Sequence, residues 1–364
     1  MNRSYFPSVF ILDKFWISVI LFMTKYLFLS CFKKCNHFTE DSISMSKKYA
    51  FLFPGQGAQA PGMVKDVCET YPEARACLDS ISQIAGEDIT KLLWETEASV
   101  LSRSDRSQLS ITSASLAVAA ALKARGIEPA VCAGFSLGEF PAMCLSGVLS
   151  FEDTIKIVKL RGEIMQKVCD DIAARSAGNP PGMAAVMGLA PDQVKAIAKE
   201  AGEAYAANMN SVKQTVVSGT AEALTKLEEL GKAAGARRVL RLAVAGPYHS
   251  PLMQAAADEF EKVIADVQFN DPKTIFLSNV TGKAVTSGAE IKKNAILHLT
   301  NPVLWTDEEA VLGKLIQEGQ AAGEEWAILE PGPGKVLCGL WKDTEYASLV
   351  APQPVNTAEN ITSL

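Results

Sequence analysis

Ala130–Glu139, AVCAGFSLGE, decides the fold. Six apolar or small residues, Ala130–Phe135, read as a fully buried strand, and a helix is expected directly after Gly138. Between them lies Gly134-Phe135-Ser136-Leu137-Gly138, a G-x-S-x-G. On a sharp strand-to-helix turn this pattern holds the Ser in strained backbone, and side chains at the two glycines would clash. The turn lifts the Ser136 hydroxyl above the sheet edge and aims the Leu137 N–H at a developing oxyanion. A Gly-flanked Ser that merely caps a helix is the plainer alternative.

Working outward, Tyr49–Phe53 (YAFLF) is a second short apolar strand, and Ser110–Arg125 is an Ala-rich helix ended by Gly126. Strand and helix alternate, which implies a mostly parallel sheet covered on both faces. The turn cluster Asn179-Pro180-Pro181-Gly182 opens a different rhythm. Strand Met183–Met187, helix Pro191–Ala201, strands near Tyr205–Asn208 and Thr215–Ser218, helix Ala221–Ala234 and strand Arg238–Leu242 follow in the order βαββαβ, the ferredoxin-like pattern. Alternation resumes with Ile275–Asn279 and Ala327–Glu330. The expected fold class is therefore α/β, a parallel-sheet core with an inserted ferredoxin-like subdomain. Its parts are a large domain over 45–179 and 246–350, a small subdomain over 180–245, and an unpacked tail over 351–364.

Residues 1–44 contain neither Ala nor Gly yet hold seven of the fifteen Phe, so a boundary falls near Met45. A mis-set start, a targeting peptide and a membrane anchor all fit such a leader, and Lys25 interrupts its apolar run. The 364 residues carry 41 acidic and 35 basic side chains, a net charge of -6, which disfavours a nucleic-acid partner. Eight cysteines form no C-x-x-C, so they read as free thiols in a reducing compartment, and no metal site is expected. A cytoplasmic location follows, or a plastid or mitochondrion if the leader is a targeting segment.

A Ser nucleophile needs a base, and the only histidines are His37, His249 and His298. His37 lies in the leader. His249 stands in AGPYHSP (Ala245–Pro251) before an Ala-rich helix, with Pro251 at its first position and Ser250 as its cap. The positive helix end would keep the imidazole neutral, as a general base requires, although a capping or solvated His fits the same place. His298, in Ala295–Thr300, reads as packed among apolar neighbours.

Ser150 and Asp153 form a capping-box-like start to another helix. On that helix Arg161 has Ile157, Val158, Ile164 and Met165 at its i±3 and i±4 neighbours, so it points from the buried face and needs an anion. The anion is either an internal Asp or Glu or a carboxylate carried by the substrate. PGQGAQ (Pro54–Gln59) is neither a dinucleotide fingerprint nor a P-loop; its glycines let backbone N–H groups approach a small anionic centre.

FPGQGAQ (Phe53–Gln59), GFSLGE (Gly134–Glu139), KLRGEIMQ (Lys159–Gln166), GPYHSPLM (Gly246–Met253), NPVLW (Asn301–Trp305) and EPGPGKVL (Glu330–Leu337) together resemble the malonyl-CoA:acyl-carrier-protein transacylase family, from about Lys48 to about Ser348. The resemblance implies an α/β-hydrolase-like core. It implies Ser136 as the acylated nucleophile and His249 as base, with Arg161 on the malonyl carboxylate and the Gln56 and Leu137 amides as oxyanion hole. It also implies malonyl-CoA and an acyl carrier protein as partners, with no cofactor, metal or membrane. The family orients its His by a backbone carbonyl, from a Gln at the position of His298 here. Phe135 and Tyr248 are further departures, the latter where extender-unit choice is made, so an acyltransferase for another extender unit is the alternative. An α/β-hydrolase thioesterase is the more distant one.

Overall fold

The computed structural model describes residues 47–364. The expectations for the leader, and the cysteines Cys31 and Cys35 with it, lie outside the described residues. The chain starts on strand β1 (Lys48–Phe53) and reaches β2 (Pro129–Gly134) after a run of helices. It then builds β3 (Gly182–Met187), β4 (Ala204–Ser211), β5 (Gln214–Gly219) and β6 (Arg238–Arg241), and returns through β7 (Ile275–Ser278), β8 (Lys283–Ala284), β9 (Trp326–Pro331) and β10 (Gln353–Val355).

Two sheets result. The larger has the order β10-β9-β1-β2-β7-β8, all pairs parallel except the final β7–β8 hairpin. Its central strand is covered on both faces: Phe51 and Phe53 enter one apolar cluster, while Ala50 and Leu52 enter the other. That division is the period-2 alternation of a strand between two helical layers. The smaller sheet, β4-β5-β3-β6, is antiparallel, with helices Pro191–Ala201 and Ala221–Ala233 packed against it. It is tied to the large unit where the Met209 N–H donates to the Val303 carbonyl and the Val303 N–H to the Ala207 carbonyl, at 3.0 and 2.8 Å.

Three differences from the sequence reading have physical causes. The helix expected to start at Ser110 starts at Ser104 and runs to Ala124. Its first turns are polar and look like loop, but they are buried and partnered: the Ser104 N–H donates to Gln166 Oε1, and Ser104 Oγ meets the Tyr248 hydroxyl at 2.7 Å. The expected unpacked tail is instead part of the fold. Residues Gln353–Val355 add an edge strand to β9, helix Ala358–Thr362 follows, and Val355 and Ile361 are fully buried. An exposed strand edge supplied a docking place that local composition does not show. Finally, His298 ends helix Gly288–Leu297 among polar side chains, not apolar ones.

The six cysteines of the described region are free thiols. Among the described residues no helix is long and apolar enough to cross a membrane.

Candidate active site

β2 ends at Gly134, and after Phe135 a single 3-10 turn, Ser136–Gly138, leads into helix Glu139–Leu145. Ser136 sits at φ 51°, the left-handed region that costs an L-residue about 1–3 kcal/mol. Both glycines of the motif are sterically obligatory. A Cβ on Gly134 would fall onto the Gly138 carbonyl, and one on Gly138 onto the Phe53 carbonyl. The loop after β1 thus packs directly on the elbow.

His249 arrives from the segment after β6, also with left-handed backbone at φ 56°. Its Nε2 lies 2.8 Å from Ser136 Oγ, and its Nδ1 lies 2.8 Å from the His298 carbonyl. A carbonyl only accepts, so Nδ1 carries the proton and Nε2 presents its lone pair to the Ser136 hydroxyl. Burial holds the His249 pKa down to about 4, helped by the positive charge of Arg161. The imidazole is therefore neutral through burial, not through a helix end as its sequence suggested. The expected cap differs as well. Pro251 does open the helical stretch, but as a 3-10 turn, and Ser250 Oγ turns back to donate to the Pro247 carbonyl.

Ser136 and His249 border a cavity of about 230 Å³. Its walls come from the small sheet and from helices and loops of the large unit. Met183, Ala185 and Val216 of the small sheet face Met165 and Leu340 of the large unit, while Gln56, Gln108, Asn208 and Asn210 supply polar groups. An apolar slot with a few placed polar groups is suited to a slender flexible chain. Gln56 borders the slot from the front loop, and Leu137 is fully buried. Phe135 also lines it and stacks edge-on against Trp305, ring centroids 5.6 Å apart. Tyr248 faces the slot with its hydroxyl held by Ser104.

Arg161 is fully buried on helix Phe151–Arg175, whose start Ser150 caps by accepting from the Asp153 N–H at 3.0 Å. Among the described residues no internal salt bridge holds Arg161. Its Nη1 donates to Gln108 Oε1, its Nε and Nη2 have no protein partner, and its guanidinium carbon lies 5.1 Å from the centre of the Phe140 ring. Burial lowers its pKa to about 10, still well above neutrality. A charged fork with open donors is thus set behind Gln108, which borders the slot while Arg161 does not.

Sequence reasoning missed Asn279. It directly follows β7, at the carboxyl edge of a parallel strand, a position where α/β sheets place functional side chains. Its Oδ1 accepts the Ser136 N–H at 2.7 Å, and its Nδ2 donates to the Gly134 carbonyl at 2.7 Å and to Glu308 Oε1 at 2.8 Å. Glu139 accepts from the Asn279 N–H at 2.9 Å, and burial raises its pKa to about 7. Gln108 was missed too, because its partner Arg161 is 53 residues away.

Residues 50–323 match the acyl transferase domain family. The chain is 36% identical over 299 residues to the malonyl CoA-acyl carrier protein transacylase of Bacillus subtilis, covering 81% of this chain and 90% of that one. It is 35% identical over 308 residues to the Escherichia coli K12 protein of the same name, covering 83% and 95%. Among solved structures, the transacylase of Coxiella burnetii superposes with a TM-score of 0.78 at 31% identity, covering 88% of this chain and 97% of the other. A malonyl-transacylase in complex with its type II PKS acyl-carrier protein superposes with a TM-score of 0.76 at 30% identity, covering 87% and 98%. With an acyl transferase match across most of its length and such relatives over four-fifths of it, the chain belongs to the malonyl CoA-acyl carrier protein transacylase family.

Proposed function

We propose that this protein transfers malonyl from malonyl-CoA to the phosphopantetheine thiol of an acyl carrier protein through an ester on Ser136, supplying fatty acid synthesis. The observation that carries the mechanism is the 2.8 Å contact between Ser136 Oγ and a neutral His249 Nε2 at the cavity wall. His249 takes the hydroxyl proton as Ser136 Oγ bonds to the thioester carbonyl carbon. The negative charge passes to the carbonyl oxygen, where the Gln56 and Leu137 amides would donate to it. Collapse of that intermediate breaks the C–S bond, and the leaving thiolate of coenzyme A recovers the proton from His249. The carrier protein's thiol then loses its proton to His249 and attacks the Ser136 ester, reversing the sequence of bonds.

The open donors of Arg161 suit the free carboxylate of malonyl, with Gln108 standing in until the substrate arrives. A thioesterase reading is disfavoured, because the group behind His249 is a main-chain carbonyl and not an Asp or Glu. We read the small unit as ferredoxin-like, on the grounds of its βαββαβ order and its β4-β5-β3-β6 arrangement, and the large one as hydrolase-like on the grounds of the elbow. The large unit then spans 47–179 and 246–364, with 180–245 as the insert, and the reaction needs no cofactor beyond the two thiol carriers.

The function is tested by incubating the protein with malonyl-CoA and acyl carrier protein. Transfer to the phosphopantetheine-bearing carrier, and none to the carrier lacking that arm, is expected. Transfer to neither carrier while malonyl-CoA is hydrolysed would favour the thioesterase.

A further inference from the structure

His298 reaches the reacting pair by two routes, one direct and one through Asn279. Its carbonyl holds His249 Nδ1 at 2.8 Å, and its own imidazole Nε2 lies 3.1 Å from Asn279 Oδ1. That same Oδ1 accepts the N–H of Ser136. We propose that the His298 side chain is a positioning residue, which locks the nucleophile's turn to the base's carbonyl through Asn279. The inference rests on the Ser136–His249 chemistry proposed above.

Hydrogen-bond accounting fixes the arrangement. Asn279 Nδ2 already donates to the Gly134 carbonyl and to Glu308, so the other amide atom is the oxygen. Turning the amide over would set an NH2 group against the Ser136 N–H. The oxygen can therefore only accept, and His298 Nε2 must be the donor. In the neutral ring Nδ1 then carries a lone pair, and it faces Glu139 Oε2 at 3.6 Å. Neither atom has another partner among the described residues, and both residues are fully buried. The other charged or titratable groups around this ring are His249, whose ring centroid is 4.9 Å away, Arg161, and Glu308 on the far side of Asn279. Burial, with the Arg161 charge nearby, keeps His298 neutral, which preserves the single donor that Asn279 needs.

The consequence is mechanical. Ser136 and His249 each stand in left-handed backbone, so each depends on its surroundings to stay there. His298 braces both, one with its main chain and the other with its side chain. Removing the ring while leaving the carbonyl takes away the donor that fixes Asn279 Oδ1 against the Ser136 N–H, so the elbow is held less firmly and the oxyanion geometry loosens.

The test compares the native protein with His298→Leu, His298→Gln, Asn279→Ser and the Leu/Ser double variant. Transfer to an acyl carrier protein is followed over a range of malonyl-CoA concentrations, with thermal unfolding alongside. His298→Leu should lose about tenfold or more in kcat, the scale of one hydrogen bond, with little change in KM. His298→Gln, whose amide can donate to Asn279, should recover most of that loss. The double variant should be no slower than Asn279→Ser alone. Should His298→Leu fail to fold, His298→Asn, polar but too short to reach, takes its place with the same expectation. Native kcat in His298→Leu, a Gln variant as slow as Leu with a matching fall in melting temperature, or multiplying losses in the double variant would each overturn the role. A native protein that transfers no malonyl would instead sink the underlying function, so the two failures are distinct.

Discussion

Ser136 Oγ and His249 Nε2 meet at 2.8 Å across 113 residues of sequence, and both residues hold left-handed backbone, φ 51° and 56°. Two strained residues in mutual contact show that surrounding structure over-determines the pair, and the proposed chemistry explains why that strain is kept. His249→Ala should therefore slow acylation of Ser136 by roughly 10²–10⁴, the range for a lost general base. Rapid-mix acylation with malonyl-CoA measures it, and a loss under tenfold would contradict the role.

The acid side of the pH profile should be displaced. Burial, then the Arg161 charge, puts the His249 pKa at about 4, so Nε2 stays a free lone pair well below the ordinary 6.5. Between those values the unfolded chain takes up a proton that the native site refuses, so this His costs stability as pH falls from 6.5 to 4 and nothing above that window. Acylation rate against pH should thus lack an inflection near 6.5 on its acid limb. A clean half-drop at 6.5 would mean an accessible, ordinary imidazole.

Gly138→Ala tests the elbow's packing. Its added methyl would meet the Phe53 carbonyl, which belongs to the central strand and cannot swing aside. Overpacking of this kind costs about 1–3 kcal/mol, so the urea midpoint should fall with the cooperativity preserved. An unchanged midpoint would show that the loop after β1 yields freely.

The C-terminal segment should be structural. Ile361 is fully buried, and Ile361→Ala should cost about 2–5 kcal/mol with acylation chemistry intact in the protein that remains folded. A neutral effect in denaturant titration would restore the view of these residues as a loose tail.

The turn at Ser136, the placement of His249 and the burial of Arg161 were legible in sequence because each announces itself locally: glycines flanking one Ser, a turn around one His, four apolar neighbours around one Arg. The βαββαβ order was legible for the same reason, since alternation and turn residues are short-range signals. What escaped was long-range. Asn279 gains its meaning from Ser136, 143 residues away, and β10 from the free edge of β9. The cause of His249's neutrality was likewise misread, because burial depends on the whole fold and a helix end does not.

The proposed carboxylate clamp can be tested through the open donors of Arg161. Arg161→Ala should cost on the order of 2–5 kcal/mol for malonyl transfer by stranding its carboxylate, while acetyl transfer should hold or improve. Parallel losses on both acyl groups would remove the clamp role.

The most direct measurement is intact-mass spectrometry of the protein mixed with malonyl-CoA, native beside Ser136→Ala. The native chain should gain the mass of one malonyl group, lose it again when phosphopantetheine-bearing acyl carrier protein is added, and the Ser136→Ala chain should gain nothing. Equal labelling of both chains, or no labelling of the native chain while transfer proceeds, would contradict an ester on Ser136.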